Sequence, residues 1–346
     1  MFSFRNNQIK FLGLFFVLIL VSYYFFTQNH GVKITEQKLT LGTIVQIDIC
    51  MPSGRADLAR SAFKKVWHRI DEINICMNAY DERSDVFRIN VSYPDFIEIH
   101  PDTYSLLKDA QKYSTMTNGA FDVTVGPLVL LWQKAGEAGT MPSQLEIEQE
   151  KEKVGFHNIE FLKDSKVRML HPGTKIDLSA IAKGYAVDQA AQALRDAGIN
   201  NFLINAGGDI FVSGKNCQNN EWSVGIQNPS QPEVLLDTLY VTNAAITTSG
   251  DYEQYHIIEQ ERYSHIIDPR TGYPARSVKS ATVVAKSAEQ ADAFSTAFCV
   301  LGPKESISWV DQIDEDISIL LIEKNEDEQI VQHMSRKYKN LHKTKH

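Results

Sequence analysis

The stretch INAGGDIFVSG, residues 204–214, places two glycines between short runs of apolar residues. Apolar runs on either side of a glycine pair predict two strands joined by a tight turn. A helical pattern precedes this stretch at 180–197 and ends at Gly198, as is typical of a C-terminal cap. Further strand candidates lie at 222–226, 236–248 and 280–285, and a last helix is predicted over 288–300. Because the strands cluster between separated helices, we predict an α+β fold.

The N-terminal half adds one more strand and two amphipathic helices. Residues 38–49 alternate apolar and polar side chains, which predicts a strand. Apolar residues recur every three or four positions from residue 57 and again over 103–117, as in helices that cover a core. The sequence contains neither an internal repeat nor a proline-rich linker, so we expect a single domain over residues 38–330.

The composition indicates a globular protein without general affinity for nucleic acids. The chain has 346 residues, 43% of them hydrophobic, and 43 acidic against 35 basic side chains give a net charge of −8. Such a chain does not attract phosphate backbones as a whole. The four cysteines, Cys50, Cys76, Cys217 and Cys299, are too few for a disulfide scaffold and lack zinc-site spacing. Whether any two of them pair is open at this point.

The N-terminus carries an apolar run that predicts export. Residues 11–26, FLGLFFVLILVSYYFF, contain no charge and follow a segment, 1–10, whose basic residues keep it in the cytoplasm. As a helix the run would span about 24 Å, somewhat less than a bilayer core of about 30 Å. Two interpretations remain: a cleaved signal peptide, or an uncleaved signal anchor, which the bulky aromatic end of the run favours.

We therefore expect a single-pass protein of the inner (cytoplasmic) membrane. A linker at 27–37 would lead to the folded domain on the periplasmic, extracytoplasmic side. The last residues, 331–346, are rich in lysine and arginine. Such a run predicts a solvated tail, and binding to anionic lipid head groups is the alternative.

The segment IDLSAIAKGYAVD (176–188) combines Asp177 and Lys183 with small residues where a helix begins. The free amide groups of a helix start and a lysine suit an anionic ligand, and a backbone carbonyl in the turn suits a metal ion. The alternative is a helix cap at Asp177 or Ser179 with a surface lysine.

The segment ADAFSTA (291–297) places Asp292 and Thr296 four residues apart on a predicted helix, with Ser295 beside them. Residues at this spacing share one helix face. One carboxylate with hydroxyl groups forms a set of hard oxygen ligands, which suits magnesium. The alternative is that these groups cap or bond back to the helix backbone.

The segment YSHIIDPRTGYP (263–274) places His265, Asp268 and Arg270 in a turn-rich loop. A histidine there can transfer protons near neutral pH. The alternative is a turn stabilised by an ion pair between Asp268 and Arg270.

The glycine pair of 204–214 also has two interpretations, a plain turn or a close backbone approach to a ligand, and it lacks the spacing of a dinucleotide or phosphate-binding loop.

Taken in order, eight segments resemble the FAD:protein FMN transferase family, also called ApbE. They are LTLGT (39–43), YDERSDVFRIN (80–90), GAFDVTVGPL (119–128), IDLSAIAKGYAVD, INAGGDIFVSG, TSGDYE (248–253), SHIIDPRTGYP (264–274) and ADAFSTA. The resemblance extends from about residue 38 to residue 325. Each motif alone is weak, but eight in register are specific.

The resemblance implies a single α+β catalytic domain with the flavin in a cleft. It implies an enzyme that uses magnesium to transfer the FMN half of FAD to a threonine or serine hydroxyl of a target flavoprotein, with release of AMP. Residues implied to bind FAD are Leu41, Tyr80, Ala120, Phe121, Asp122, Asp177, Lys183, His265 and Ile267. Residues implied to hold magnesium are Asp292, Ser295 and Thr296 with the carbonyl of Ala180. Asp292 and His265 are the implied catalytic residues, with His265 the first choice for the base and Asp268 or a metal-bound carboxylate the second.

The sequence departs from the family pattern in three places. Leu41 stands where methionine is usual, Ser179 replaces the more common glycine, and the chain has no N-terminal cysteine for a lipid, so the segment 11–26 would serve as the anchor. The implied acceptor is a membrane or exported redox protein. Two other functions remain open, a magnesium-dependent FAD pyrophosphatase and a non-catalytic, membrane-tethered flavin-binding protein.

Overall fold

The fold combines strands and helices, and a computed structural model describes it for residues 31–251, 254–313, 315–325 and 329–341. The strands are β1 (Val32–Thr40), β2 (Thr43–Met51), β3 (Ile97–Glu98), β4 (Ile159–Leu162), β5 (Lys166–Met169), β6 (Phe202–Ala206), β7 (Asp209–Ser213), β8 (Trp222–Asn228), β9 (Gln231–Val241), β10 (Ala244–Gly250), β11 (Tyr255–Ile258), β12 (Glu261–Ser264), β13 (Val278–Ala285), β14 (Ser318–Lys324) and β15 (Ile330–Met334). The helices are α1 (Ala56–Met77), α2 (Asp85–Val91), α3 (Pro101–Met116), α4 (Gly126–Ala138), α5 (Gln144–Lys151), α6 (Ala182–Asp196), α7 (Ala288–Gln312) and α8 (Arg336–Leu341).

Eight strands form one large sheet in the order β1-β2-β6-β7-β10-β13-β14-β15. Every neighbouring pair in this sheet is antiparallel. Three small sheets, β3-β5-β4, β8-β9 and β11-β12, lie outside it. An antiparallel sheet with helices grouped beside it is an α+β arrangement, as the sequence predicts.

The large sheet separates two hydrophobic cores. Helices α1, α6 and α7 cover one face, and α1 buries Phe63, Val66 and Ile70 there because its apolar residues recur at helical spacing. The other face packs against β8, β9 and α8, around Trp222 and Tyr338. A third, smaller cluster joins α4 and α5 to the β11-β12 hairpin.

The strand registers bring several turns to the same end of the large sheet, which we call the site end. Val45 at the start of β2 pairs with Ala206, and Ala206 pairs with Asp209 across the β6-β7 turn. Further along the sheet, Gly250 at the end of β10 pairs with Ser280 near the start of β13. The site end therefore contains the β1-β2 turn, the glycine pair and the junctions of β10 and β13.

The prediction of one continuous strand over 38–49 is wrong. Leu41 and Gly42 form a two-residue turn with φ of 54° and 72°, and the turn joins β1 and β2 as a hairpin. Such turns suit the twist of a hairpin. Leu39 and Ile44 pair across it and are exposed, so the alternation in the sequence runs through a turn and does not mark one face.

Two other predicted elements have different limits. The candidate strand 236–248 is divided between β9 and β10 at Asn243, whose φ is 49°. The predicted helix over 288–300 ends where the helical backbone is interrupted, at Gly302 with φ of 77°, and a second helical segment that begins with Pro303 extends α7 to Gln312. The predicted ends near Gly198 and over 103–117 agree with α6 and α3.

The domain extends beyond the predicted limits at both ends. Residues 32–37 of the predicted linker belong to β1 and pair with β2. Of the predicted solvated tail 331–346, residues 331–341 instead continue β15 and form α8, because the Tyr338 side chain is buried and its hydroxyl donates to Asp237 Oδ2 at 2.9 Å. Residues 342–346 lie outside the described residues. The predicted segments 1–10 and 11–26 lie outside the described residues. Within the described ranges, each helix is too short or too polar to cross a bilayer.

Two of the four cysteines form a disulfide bond. Cys50 at the end of β2 is bonded to Cys217, with 5.1 Å between their Cα atoms. Cys76 is a partly buried thiol at the end of α1 and Cys299 is a buried thiol in α7. The bond ties the second strand of the sheet to the loop after β7, and such bonds persist in oxidising compartments.

Candidate active site

The glycine pair forms the turn between β6 and β7 at the site end. Gly207 and Gly208 have φ of 62° and 103°, a backbone conformation that glycine adopts without strain. A Cβ atom on Gly207 would lie 2.4 Å from Thr43 Oγ1, so this turn packs directly against the β1-β2 hairpin. The glycine pair therefore forms a plain turn between two strands. This turn places the following residue, Asp209, at the site end of the large sheet.

Asp209 is buried and forms an ion pair with Lys183. Its Oδ2 lies 2.8 Å from Lys183 Nζ, and the exposed fractions of the two side chains are 1% and 29%. Lys183 stands in the first turn of α6. The free amide groups expected there are engaged, because the N–H groups of Ala182 and Tyr185 donate to the Leu178 and Ile181 carbonyls and that of Gly184 donates to Asp292. The segment before α6 is shaped by Asp177, whose N–H donates to the Val123 carbonyl and whose Oδ1 accepts the Ser179 N–H at 2.8 Å. A buried carboxylate therefore anchors Lys183, whose own side chain stays partly exposed.

Helix α7 carries the three oxygen-bearing side chains that the sequence singles out. Asp292 is buried, and its Oδ2 accepts the Gly184 N–H at 3.0 Å. The Ser295 hydroxyl donates to the Asp292 carbonyl at 2.9 Å and lies 2.6 Å from Ser249 Oγ at the end of β10. Thr296 Oγ1 is 3.5 Å from the same Ser249 oxygen. One carboxylate and three hydroxyl groups are therefore brought together at the site end.

This donor set fits magnesium. Among the described residues, no group of three or more His, Cys, Asp or Glu side chains is arranged to hold a metal. A site built on Asp292 would instead combine one carboxylate with hydroxyl and carbonyl oxygens, the hard ligands that magnesium accepts while it keeps waters or substrate phosphates. Ala180 lies in the turn before α6, which the Gly184–Asp292 hydrogen bond holds against α7. Ser295 is fully buried and its hydroxyl already has two partners, so its direct ligation stays a prediction.

His265 lies directly after β12 with one ring nitrogen engaged. Its Nδ1 is 2.8 Å from the carbonyl oxygen of Gln254. A carbonyl only accepts, so Nδ1 carries the proton and Nε2 keeps its lone pair. Burial lowers the pKa of His265, and the positive charge of Lys183 lowers it further, against the opposing effects of the Gln254 carbonyl and Asp177. The imidazole is therefore held neutral, with a basic nitrogen, near neutral pH.

The turn after His265 is stabilised by the ion pair that the sequence left open. The Asp268 carboxylate accepts hydrogen bonds from the Arg270 backbone N–H and from the guanidinium Nε and Nη2 atoms at 2.9 to 3.0 Å. The loop is further held by Trp132, whose Nε1–H donates to the Gly272 carbonyl at 2.8 Å. Asp268 therefore has a structural role, which makes it a weaker candidate for the base than His265.

The segment 120–122, predicted to bind FAD, is buried in the core. Ala120, Phe121 and Asp122 are 1%, 2% and 6% exposed. Asp122 accepts hydrogen bonds from the Thr124 N–H and hydroxyl through one oxygen and from the Phe156 N–H through the other. Burial raises the pKa of Asp122 and these hydrogen bonds lower it. The hydrogen-bond partners of Asp122 are other groups of the protein. FAD contacts by Ala120, Phe121 and Asp122 stay a prediction.

The remaining predicted FAD residues occupy different settings. Ile267 is 6% exposed and packs in the cluster between α4, α5 and the β11-β12 hairpin. Leu41 is partly exposed in the β1-β2 turn at the site end. Tyr80 follows α1 and is 81% exposed, so its ring is available to a ligand. Contact of Tyr80 with FAD stays a prediction.

Two residues of the site were not singled out by sequence reasoning. Asp209 and Ser249 both lie inside quoted motifs, INAGGDIFVSG and TSGDYE, yet neither spacing nor residue type distinguishes them there. Only the strand register places Asp209 beside Lys183 and Ser249 beside Ser295.

Comparisons with known proteins give the class to which this fold and site belong. The family model named ApbE matches residues 41–321. The FAD:protein FMN transferase of Vibrio cholerae serotype O1 is 32% identical over 293 residues, covering 83% of this chain and 86% of that protein. The enzyme of the same name from Escherichia coli K12 is 30% identical over 313 residues, covering 87% of each chain.

Solved structures agree with these relatives. The flavin transferase ApbE from Vibrio cholerae superposes with a TM-score of 0.80 at 30% identity, covering 90% of this chain and 99% of that one. The ApbE protein from Thermotoga maritima gives a TM-score of 0.78 at 34% identity, with the same coverage. The α+β fold with its site at one sheet end is thus that of an enzyme of the flavin transferase class. The chain belongs to the ApbE family.

Proposed function

We propose that the protein is a magnesium-dependent FAD:protein FMN transferase that modifies a threonine or serine hydroxyl of an acceptor flavoprotein and releases AMP. The observation that carries the proposal is the convergence, at the site end, of a hard-oxygen set around Asp292, the ammonium group of Lys183 and a neutral His265. Membership of the ApbE family supports the same reaction.

The reaction is a displacement at the FMN phosphorus of FAD. The acceptor hydroxyl oxygen forms a new phosphoester bond, the bond between the FMN phosphorus and the bridging oxygen breaks, and AMP leaves with that oxygen. His265 Nε2 takes the hydroxyl proton, because its Nδ1–H is already donated to Gln254. Lys183, fixed by Asp209 in the first turn of α6, would oppose the negative charge of the pyrophosphate.

Asp292, Thr296 and the carbonyl of Ala180, with Ser295 beside them, would hold the magnesium ion. When bound, magnesium neutralises charge on the pyrophosphate and acts as a Lewis acid at the phosphorus. Asp292 is prepared for this role by Gly184, whose N–H fixes one carboxylate oxygen.

The test is an acceptor assay on the full chain. We expect incubation with FAD, magnesium and a threonine-bearing flavoprotein fragment from the same organism to add the mass of FMN to the fragment, and chelation by EDTA to prevent it. His265→Asn should lose most of the transfer, whereas His68→Asn, an exposed histidine on α1, should retain it. No FMN addition with FAD bound and several acceptors tried would refute transfer. Free FMN without acceptor would indicate a pyrophosphatase, and bound FAD without any turnover would indicate a binding protein.

The site of action that we propose is the outer side of the cytoplasmic membrane, with residues 11–26 as the anchor. The Cys50–Cys217 disulfide supports an oxidising compartment. The acceptor would then be a membrane or exported redox flavoprotein. Protease added to intact spheroplasts should digest the domain if this proposal is right, and complete protection of a correctly folded protein would contradict it.

A further inference from the structure

Asp209 is a buried carboxylate whose ion partner faces the site. It begins β7 immediately after the glycine pair and is 1% exposed, while Lys183 reaches it from α6 at 2.8 Å. The pair joins two elements that are separate in the chain, the sheet and the first turn of α6. Because only the lysine end of the pair has access to solvent, the carboxylate cannot itself meet a substrate.

Burial of the Asp209 carboxylate favours its ion pair with Lys183. Burial raises the pKa of Asp209, and the ammonium group of Lys183 and the hydroxyl of Thr247 on β10 act against that effect. A buried carboxylate that loses its cation is strongly unfavourable, so the lysine is held in this position. Without the carboxylate, a lysine side chain has several rotatable bonds and a strongly hydrated charge that would turn toward water.

The charge of Lys183 also acts on His265. Among the described residues, the groups that act on His265 are Lys183 from α6, His256 from β11, Asp177 before α6 and the carbonyl of Gln254. Lys183 and His256 lower the pKa of His265, whereas Asp177 and the Gln254 carbonyl raise it. A carboxylate that offsets the charge of Lys183 therefore limits how far the basicity of His265 falls.

We propose that Asp209 is a positioning residue for the flavin transfer: it holds the Lys183 ammonium group toward the anionic substrate and offsets its charge at His265. The proposal rests on the proposed function, since it assigns a role within that same site. It does not make Asp209 a catalytic residue, because the carboxylate is sealed from the substrate.

The test compares Asp209→Asn with Asp48→Asn. Asp48 is 5% exposed in β2 of the same sheet and pairs with Lys33 at 3.0 Å, so it is a matched buried ion pair away from the site end. The asparagine keeps the size of the side chain and removes its charge. Asp209→Asn should weaken FAD binding, measured by flavin fluorescence, by about tenfold, which is the loss expected for one charge-assisted contact. Asp48→Asn should leave FAD affinity unchanged.

A pH profile separates positioning from mere stability. In Asp209→Asn the acidic limb of the rate profile should move to lower pH, because His265 then faces an uncompensated ammonium charge. A general loss of stability would lower the rate at every pH without moving the limb, as we expect for Asp48→Asn. The proposal is overturned if the affinity and the acidic limb of Asp209→Asn match those of the wild type or of Asp48→Asn.

A second pair of variants covers the case in which Asp209→Asn does not fold. Removing both charges of a buried ion pair is tolerated better than removing one. If Asp209 acts through the lysine, Lys183→Met and Lys183→Met/Asp209→Asn should bind FAD equally well. A further loss of affinity in the double variant would overturn the proposal. Fluorescence of bound FAD is read without an acceptor, so failure of the transfer assay in the wild type would refute the proposed function and leave this comparison intact.

Discussion

Replacement of Gly184 by alanine tests how the α6–α7 contact sets the position of Asp292. A Cβ atom at Gly184 would lie 2.3 Å from the Ala288 carbonyl oxygen and 2.8 Å from the Asp292 Cβ atom. Ordinary contacts begin near 3.5 Å, so the two helices would have to separate by about 1 Å at this point. The obstruction is a backbone carbonyl in the first turn of α7, which cannot move without the helix.

The expected magnitude follows from two opposing effects. Overpacking a rigid contact costs about 1–3 kcal/mol, and we take the upper end because the obstacle is backbone. Alanine in a helix interior is about 1 kcal/mol more favourable than glycine. We therefore expect Gly184→Ala to lower the free energy of unfolding by about 2 kcal/mol. The separation would also stretch the hydrogen bond from the Gly184 N–H to Asp292, now 3.0 Å, and weaken the response to magnesium.

The assay combines urea unfolding with a magnesium titration of flavin transfer. Gly54→Ala is the matched control, because a Cβ atom there would meet nothing within 4 Å and Gly54 has no positive φ. That variant should unfold within about 0.5 kcal/mol of the wild type and need the same magnesium concentration. The reasoning is refuted if Gly184→Ala is as stable as Gly54→Ala and reaches half of its maximal rate at the same magnesium concentration.

Three further predictions concern pH, redox state and ligand affinity. Burial and the charge of Asp109 raise the pKa of Glu289 to about 7. The folded state therefore keeps a proton that the unfolded state loses above about pH 4.5. The free energy of unfolding should consequently fall as the pH rises from about 4.5 to 7, and Glu289→Gln should flatten this pH dependence in urea titrations. Removal of the disulfide by Cys50→Ser/Cys217→Ser should lower the free energy of unfolding by about 2–4 kcal/mol, measured by urea unfolding, since a long loop is no longer closed in the unfolded chain. Tyr80→Ala should weaken FAD binding about five- to tenfold by flavin fluorescence and leave the melting temperature unchanged, because the ring is 81% exposed.

Each of these predictions has a result that would contradict it. An equally steep pH dependence in Glu289→Gln would show that other groups carry the linkage. Unfolding of Cys50→Ser/Cys217→Ser at the same urea concentration as the wild type would contradict the prediction for the disulfide. Equal FAD affinity in Tyr80→Ala and Tyr80→Phe would mean that the ring does not stack on the substrate.

The fold was most predictable from sequence where one periodic pattern extends over several turns. Helix α1 follows from apolar residues at helical spacing over more than twenty residues, and its observed bounds agree with that pattern. The β1-β2 hairpin was missed because Leu41 continues the alternation through the turn itself. The fold class, by contrast, depends on the order of the elements and tolerates such local errors.

The site was less predictable, because its decisive contacts join distant parts of the chain. The motifs point to Lys183 and Asp292 separately, each with a plausible structural alternative. Their partners are set by tertiary structure: Lys183 meets Asp209 on the sheet, and Asp292 meets the N–H of Gly184, 108 residues away. Residue types and spacing carry no information about such pairs until the strand register and the helix packing are known.

The same contacts explain how an acidic protein can hold an anionic dinucleotide. A chain of net charge −8 repels FAD at long range, so the attraction has to come from groups at the site end that act over a few ångströms. Lys183 contributes little net charge to the site, because the buried carboxylate of Asp209 neutralises it. What remains is orientation: an ammonium group fixed in direction and a carboxylate whose one oxygen is held by Gly184. Preorganised groups of this kind stabilise developing charge without reorganising, so we infer that the site relies on their placement more than on the amount of positive charge it contains.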